Sequence, residues 1–452
     1  MNDTATRRNR WTFALGTLGR DMVYTMMALF LIVFLTEVLD LDDTTLWWVN
    51  GILLATRIFD AFTDIIMGGI IDNTSTRWGA YKPWIALGAV LTGALTLVLF
   101  SDHGLNGAAF VAAFALIYLA WGLSFTMNDI GYWSMLPSLT RDGSERERIS
   151  ALTKIFATIG LFVTVVAIIP VTTALGGGAA AWTTFAAIAV TIMLVGQCIT
   201  LLGVREPSTA AAREHTPLRE LFSIVFRNDQ LVWTATAMML FLIGYNTTTS
   251  FGVYFFKYAY RDEAMYAPFA AILGVAQLLG FALFPVLRRR LSRRSLFTLA
   301  MGLVVAGYVV FFFSPMNLIP IGLAGLLMFA GQALVVVLMI VNLSDCVEYG
   351  EWKLGRRNGA VTFAVQPFIN KIGGAVATAI VGATLIVTGI NTAATPDDVT
   401  AEGLLGLRVM MLFFPLALML VSYLVYRRGY RIDEAFRERI LADLNARSDQ
   451  QG

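Results

Sequence analysis

Apolar residues run along this chain in long blocks separated by short polar punctuation. A helix of roughly 20 apolar residues crosses about 30 Å of hydrocarbon. Twelve such runs are predicted, at about 11–36, 44–71, 83–101, 106–136, two within the uncharged block 155–204, 230–256, 264–287, two within 295–344, 359–390 and 405–426. The first double block must turn at Gly176, Gly177 and Gly178, and the second near Ser314 and Pro315, because glycine and proline are the strongest local breakers. A polar linker divides the runs six and six. The expected organisation is therefore a half at 1–204, a linker at 205–229, a second half at 230–427 and a tail at 428–452.

Composition agrees with this pattern. Hydrophobic residues make up 57% of the 452, charged residues 14%, and mean hydropathy is +0.69, which excludes a soluble globular protein. The distribution of charge says more than its sum of +2. Of 33 Lys and Arg, 26 fall in the N-terminal segment, alternate loops and the tail, whereas the opposite loops hold only Lys257 and Arg261. That asymmetry predicts a multi-pass protein with both termini cytoplasmic, and the expected location is the plasma (bacterial inner) membrane. Arg7, Arg8 and Arg10 precede a charged first run with no convincing cleavage site, so that run is expected to be retained. In the linker, Leu218, Leu221, Phe222 and Val225 share one face, as in a short surface helix. The tail is expected to be a solvated helix. The fold class is all-α, twelve transmembrane helices in two six-helix halves, the plan of the major facilitator fold.

Charges inside or at the edges of the runs are few: besides Arg20 in the first run and Arg408 opening the twelfth, they are the seven Asp21, Arg57, Asp60, Asp64, Asp129, Lys154 and Lys371. Six of these seven belong to the first half. A charge at mid-bilayer costs roughly 2.5–3.5 kcal/mol, so such residues face a polar cavity or one another and mark a functional site. Asp60 and Asp64 are one helical turn apart, where two carboxylates share either a proton or a cation. Their bland reading is neutralisation by Arg57 and Lys371. Thr126, Asp129 and Trp133 form one stripe on the fourth run, joining hydroxyl, carboxylate and indole, a set suited to a sugar's hydroxyls and C–H face. Asp72, Arg77, Asp345 and Arg357 lie at the inner ends of runs, as gate ion pairs or as solvated loop charges. Cys198 and Cys346 suggest neither disulfide nor metal site, and His103 and His215 lie in loops. No enzyme constellation appears.

Four segments carry a family resemblance: GRDMVYTMMALFLIVFLTEVLDL (19–41), RIFDAFTDIIMGGIIDNTSTRWGAYKPW (57–84), TMNDIGYWSMLPSLTRDGSERERI (126–149) and SDCVEYGEWKLGRRNGAVTFAVQPFINKIGGA (344–375). The chain resembles the glycoside–pentoside–hexuronide:cation symporters of the major facilitator superfamily, typified by the melibiose permease. The resemblance implies a secondary active symporter for a sugar or glycoside with sodium or a proton as coupling ion and no cofactor. It implies a cation site at Asp60 and Asp64, with Thr126 and Thr63 beside them, and a substrate site of Asp21, Asp129, Trp133, Lys154 and Lys371. The permease has Arg at the position of Lys154 and Asn at that of Thr63, departures that bear on the sugar and on the ion. The expected partners are sugar, cation and lipid bilayer, with no nucleic acid, and the chain is expected to be monomeric. A lysolipid symporter of the same fold and a transporter-like nutrient sensor are the competing readings.

Overall fold

The computed structural model describes residues 3–140, 142–204, 221–262, 265–390 and 395–451. The first helix, α1 (Asp3–Thr25), continues through two π-helical turns, Met26–Phe30 and Phe34–Val38. It is followed by α2 (Asp43–Asp72), α3 (Lys82–Leu99), α4 (Gly107–Leu139), α5 (Gly143–Ala174) and α6 (Gly178–Gly203). A short α7 (Leu221–Arg227) precedes α8 (Asp229–Tyr254), α9 (Tyr266–Arg288), α10 (Arg293–Phe313), α11 (Leu318–Leu354), α12 (Gly359–Val387), α13 (Ala401–Gly429) and α14 (Glu434–Gln451). Ten helices are apolar and long enough to cross a membrane by composition. With α2, 30 residues long, and α8, 26 residues long, the described residues hold the twelve membrane-length helices of the major facilitator fold.

Breaks fall where backbone chemistry requires them. Gly176, Gly177 and Gly178 have φ of +94°, +69° and +69°, a left-handed run that side chains with a Cβ rarely adopt, and it turns α5 into α6. The split between α10 and α11 falls at 314–317, around Ser314 and Pro315. Asp42 caps α2, accepting from the Thr45 amide at 3.0 Å and its hydroxyl at 2.6 Å. Of the expected surface helix in the linker, 221–227 is helical, while Leu218 lies outside the described residues.

The chain forms two compact units, 1–223 with 356–364, and 224–355 with 365–452. In the first, α1 packs on α5 and α6, α4 on α2 and α3, and α3 on α6. In the second, α8 packs on α13, α11 on α9 and α10, and α10 on α13. First with sixth, second with fourth, third with fourth and third with sixth therefore recur in both units. This internal repeat has no clear counterpart in the amino-acid pattern.

The tail departs from the solvated helix expected of it. Helix α14 docks within the second unit, where Arg437 lies 3.1 Å from both Asp345 and Glu348. Asp345 is fully buried and also pairs with Arg293 and the Tyr430 hydroxyl. The Phe436 ring meets Tyr349 and Trp352 at 6.2 and 5.8 Å, and the Trp352 indole donates to Asp443 at 2.9 Å. One face of α14 thus meets a buried polar cluster, while its other face is exposed.

Candidate functional site

Helix α4 organises the first unit's polar interior. The Asn128 amide donates to the Ile85 carbonyl of α3 at 2.9 Å, and Gln197 of α6 donates to the Gly16 carbonyl of α1 at 2.9 Å. Tyr132 reaches the Phe13 carbonyl with its hydroxyl and stacks on the Phe13 ring at 4.3 Å. Gly19 lets α1 approach α6 closely, since a Cβ there would stand 2.2 Å from the Met193 backbone nitrogen. These contacts fix the residues next to them, Arg20 and Asp21 on α1 and Asp129 and Trp133 on α4.

Arg20 is the centre of a buried charge cluster. Its guanidinium lies 3.2 Å from Asp21 and 3.0 Å from Asp129, with its side chain only 4% exposed. It sits 4.9 Å from the Tyr132 ring centroid and 5.5 Å from that of Trp133, in cation–π range. Lys154 of α5 brings its ammonium to 4.9 Å from the Trp133 ring. Asp21, Asp129, Trp133 and Lys154 are therefore gathered around a residue that sequence reasoning omitted from the site. The available signal was Arg20's position inside an apolar run, beside Asp21. A planar guanidinium can bond two carboxylates at once, which holds both in fixed orientations.

The second cluster lies along the same face of α4. Thr126 donates its hydroxyl to Asp64 of α2 at 3.0 Å, and Asp64 is fully buried. The Asp60 carboxylate packs against Gly122, where a Cβ would come within 2.9 Å of its Oδ1, so glycine leaves the room that carboxylate fills. The Thr63 hydroxyl donates to the Asp60 carbonyl at 3.1 Å, within its own helix. The Arg57 side chain lies outside the described residues. Two carboxylates and a hydroxyl supply hard oxygen donors, suited to a proton or an alkali cation.

The remaining expected residues are spread over both units. Lys371 is half-buried on α12 in the second unit. Asp72, at the end of α2, accepts from the backbone amides of Ala360 and Val361, both at 2.9 Å, placing negative charge on the N-terminus of α12. Arg77 is exposed in the turn after α2, and Arg357 is half-buried just before α12. Asp345 sits in the buried cluster that receives Arg437.

The family of MFS/sugar transport proteins matches residues 12–434. The lactose permease of Lactobacillus helveticus is 32% identical over 463 residues, covering 97% of this chain and 72% of that protein. The raffinose carrier protein of Pediococcus pentosaceus is 29% identical, covering 96% and 71%. Among solved structures, the fucose:proton symporter of E. coli superposes with a TM-score of 0.67 at 14% identity, covering 95% of this chain and 99% of that one, a likeness of fold.

Proposed function

Since this chain belongs to the MFS/sugar transport protein family, within its glycoside–pentoside–hexuronide symporters, and is a transporter rather than an enzyme, we propose that it takes up a sugar or glycoside together with sodium or a proton by alternating access. One observation carries the reading: a single helix, α4, contributes Thr126 to the carboxylate pair and Asp129 and Trp133 to the charge cluster. Three residues rise about 4.5 Å along a helix, so occupancy of one cluster acts on the other through a rigid element.

In this reading Asp60 and Asp64, with Thr126 and Thr63, take the coupling ion. The sugar's hydroxyls donate to Asp21 and Asp129 while its C–H face stacks on Trp133, and Lys154 completes this set within the first unit. The Asp72 contact with α12, with Arg77, Asp345 and Arg357 around the inner ends, breaks and re-forms as the inner side opens. The chain works as a monomer in a bacterial inner membrane with both termini cytoplasmic, in line with the one-sided Lys and Arg.

The test is uptake of a labelled sugar panel into proteoliposomes under imposed sodium or proton gradients. Gradient-driven uptake that Asp129→Asn reduces supports the reading. Gradient-driven uptake of lysolipid but of no sugar contradicts it.

A further inference from the structure

The charge cluster around Arg20 bears on which sugars can enter, an inference that rests on the sugar-transport reading. Symporters of this kind handle both neutral glycosides and anionic hexuronides, and the two place opposite demands on a site. From the arrangement of these four charges we infer that the substrate is an uncharged glycoside and that sugars bearing a carboxylate are rejected.

Asp21, Asp129, Arg20 and Lys154 carry two negative and two positive charges, so the cluster is balanced before any ligand arrives. The order in depth is uneven. Arg20 is 4% exposed and enclosed by the rings of Tyr132 and Trp133, while the Asp21 and Asp129 side chains are 27% and 20% exposed. The guanidinium therefore lies behind the carboxylates, and its charge is committed to both of them.

A ligand meets the carboxylate oxygens before the Arg20 guanidinium, with Lys154 half-buried like them. Carboxylates accept hydrogen bonds and donate none, so sugar hydroxyls donate to them in charge-assisted bonds. A ligand carboxylate in the same place would bring a third negative charge into a desolvated site with no hydrogen to share, while the cation behind is already occupied. Lys154 is the remaining cation of the cluster, and its ammonium stands over the Trp133 face. Beside Asp21 and Asp129 a ligand carboxylate is disfavoured by like-charge repulsion as well as by missing bonds.

Matched pairs of ligands isolate the charge. Methyl β-galactoside and methyl β-glucoside are each compared with the uronate that replaces the C6 CH₂OH by a carboxylate, using calorimetric binding and counterflow exchange on the purified full chain. The expected result is at least one neutral member bound, with its uronate weaker by roughly 30-fold or more. Asp21→Asn and Asp129→Asn, each leaving the cluster net positive, should narrow that ratio. If both variants fail to fold, the wild-type ratio decides alone. A uronate bound as tightly as its neutral partner, or more tightly, overturns the inference and leaves sugar transport standing. Absence of binding and exchange for every glycoside of either charge overturns the sugar reading, and this inference with it.

Discussion

The Thr126 hydroxyl donates to the Asp64 carboxylate across 3.0 Å, tying α4 to the charged stripe of α2. A hydroxyl that already orients one carboxylate oxygen holds that carboxylate ready for an ion, at no ordering cost when the ion arrives. Its removal should weaken the ion site without emptying it. Thr126→Val is expected to raise the cation concentration needed for half-maximal sugar uptake by about tenfold, since a hydrogen bond to a charged group is worth about 1.5–3 kcal/mol. Thr126→Ser should restore most of the loss. Equal cation dependence in wild type and Thr126→Val would remove Thr126 from the ion site.

Arg20 offers a test of how the substrate carboxylates are held. Arg20→Ala leaves Asp21 and Asp129 as two partly buried negative charges without the cation between them. Removing one member of a buried ion pair costs about 3–5 kcal/mol, so lower thermal stability and lost sugar binding are expected together. Arg20→Lys separates the two effects, because an ammonium keeps the charge but lacks the planar fork. It should keep most of the stability and lose at least part of the sugar affinity. Full affinity in Arg20→Lys would show that charge alone suffices.

How far these sites could be read in the amino-acid pattern depended on what each contact is made with. Asp60 and Asp64 stood out because carboxylates one turn apart in an apolar run have few explanations. The turn at Gly176, Gly177 and Gly178 stood out because an uncharged block of that length must bend somewhere. Arg20 did not, because its neighbour Asp21 is visible in the chain but Asp129, more than a hundred residues on, is brought to it only by packing. The tail failed for a related reason. Phe436 and Ile440 lie one turn apart on the docked face, but two apolar positions do not separate docking from solvation, and the contact that does, Arg437 on Asp345 and Glu348, is polar and outside what apolar periodicity reports. The repeat of helix contacts between the units also lies beyond the pattern, since many apolar sequences satisfy the same packing.

The docked tail should matter for stability. Arg437 is 9% exposed and shares the fully buried Asp345 with Arg293, so Arg437→Ala leaves part of that charge uncompensated. The expected drop is about 1–3 kcal/mol, below the figure for an unpaired buried ion because Arg293 remains. Arg447 donates to the Trp352 carbonyl at 3.1 Å on the exposed side, and Arg447→Ala should cost about 0–1 kcal/mol. Thermal unfolding of the purified variants checks the order. Equal losses would show that the charge cluster stands without the tail.

An acid-sensitive contact lies at the start of α8. Burial alone would push the Asp229 carboxyl up, but hydrogen bonds from Lys353, Gln230 and Tyr349 hold it down to about 2. A carboxyl whose folded value lies below its unfolded value of about 3.9 contributes stability above that pH and loses it as pH falls towards about 2. The wild-type melting temperature should therefore fall more steeply between pH 4 and pH 2.5 than that of Asp229→Asn, with the difference between the two constant above about pH 5. Parallel curves across the acid range would show that Asp229 is not held in this way.

The most direct test of the account is whether Asp64 couples sugar movement to an ion. One cation moving inward releases about 2.3 kcal/mol per 100 mV, and a tenfold ion gradient adds about 1.4 kcal/mol. At one cation per sugar the total of about 3.7 kcal/mol concentrates sugar roughly 500-fold. The measurement is labelled sugar inside cells at steady state, with and without an ionophore that collapses ion gradients and membrane potential, for wild type and Asp64→Asn. The account predicts wild-type accumulation that the ionophore abolishes, and an Asp64→Asn variant that equilibrates sugar to the outside level without concentrating it. Wild-type accumulation that survives the ionophore, or Asp64→Asn accumulation equal to wild type, would contradict it.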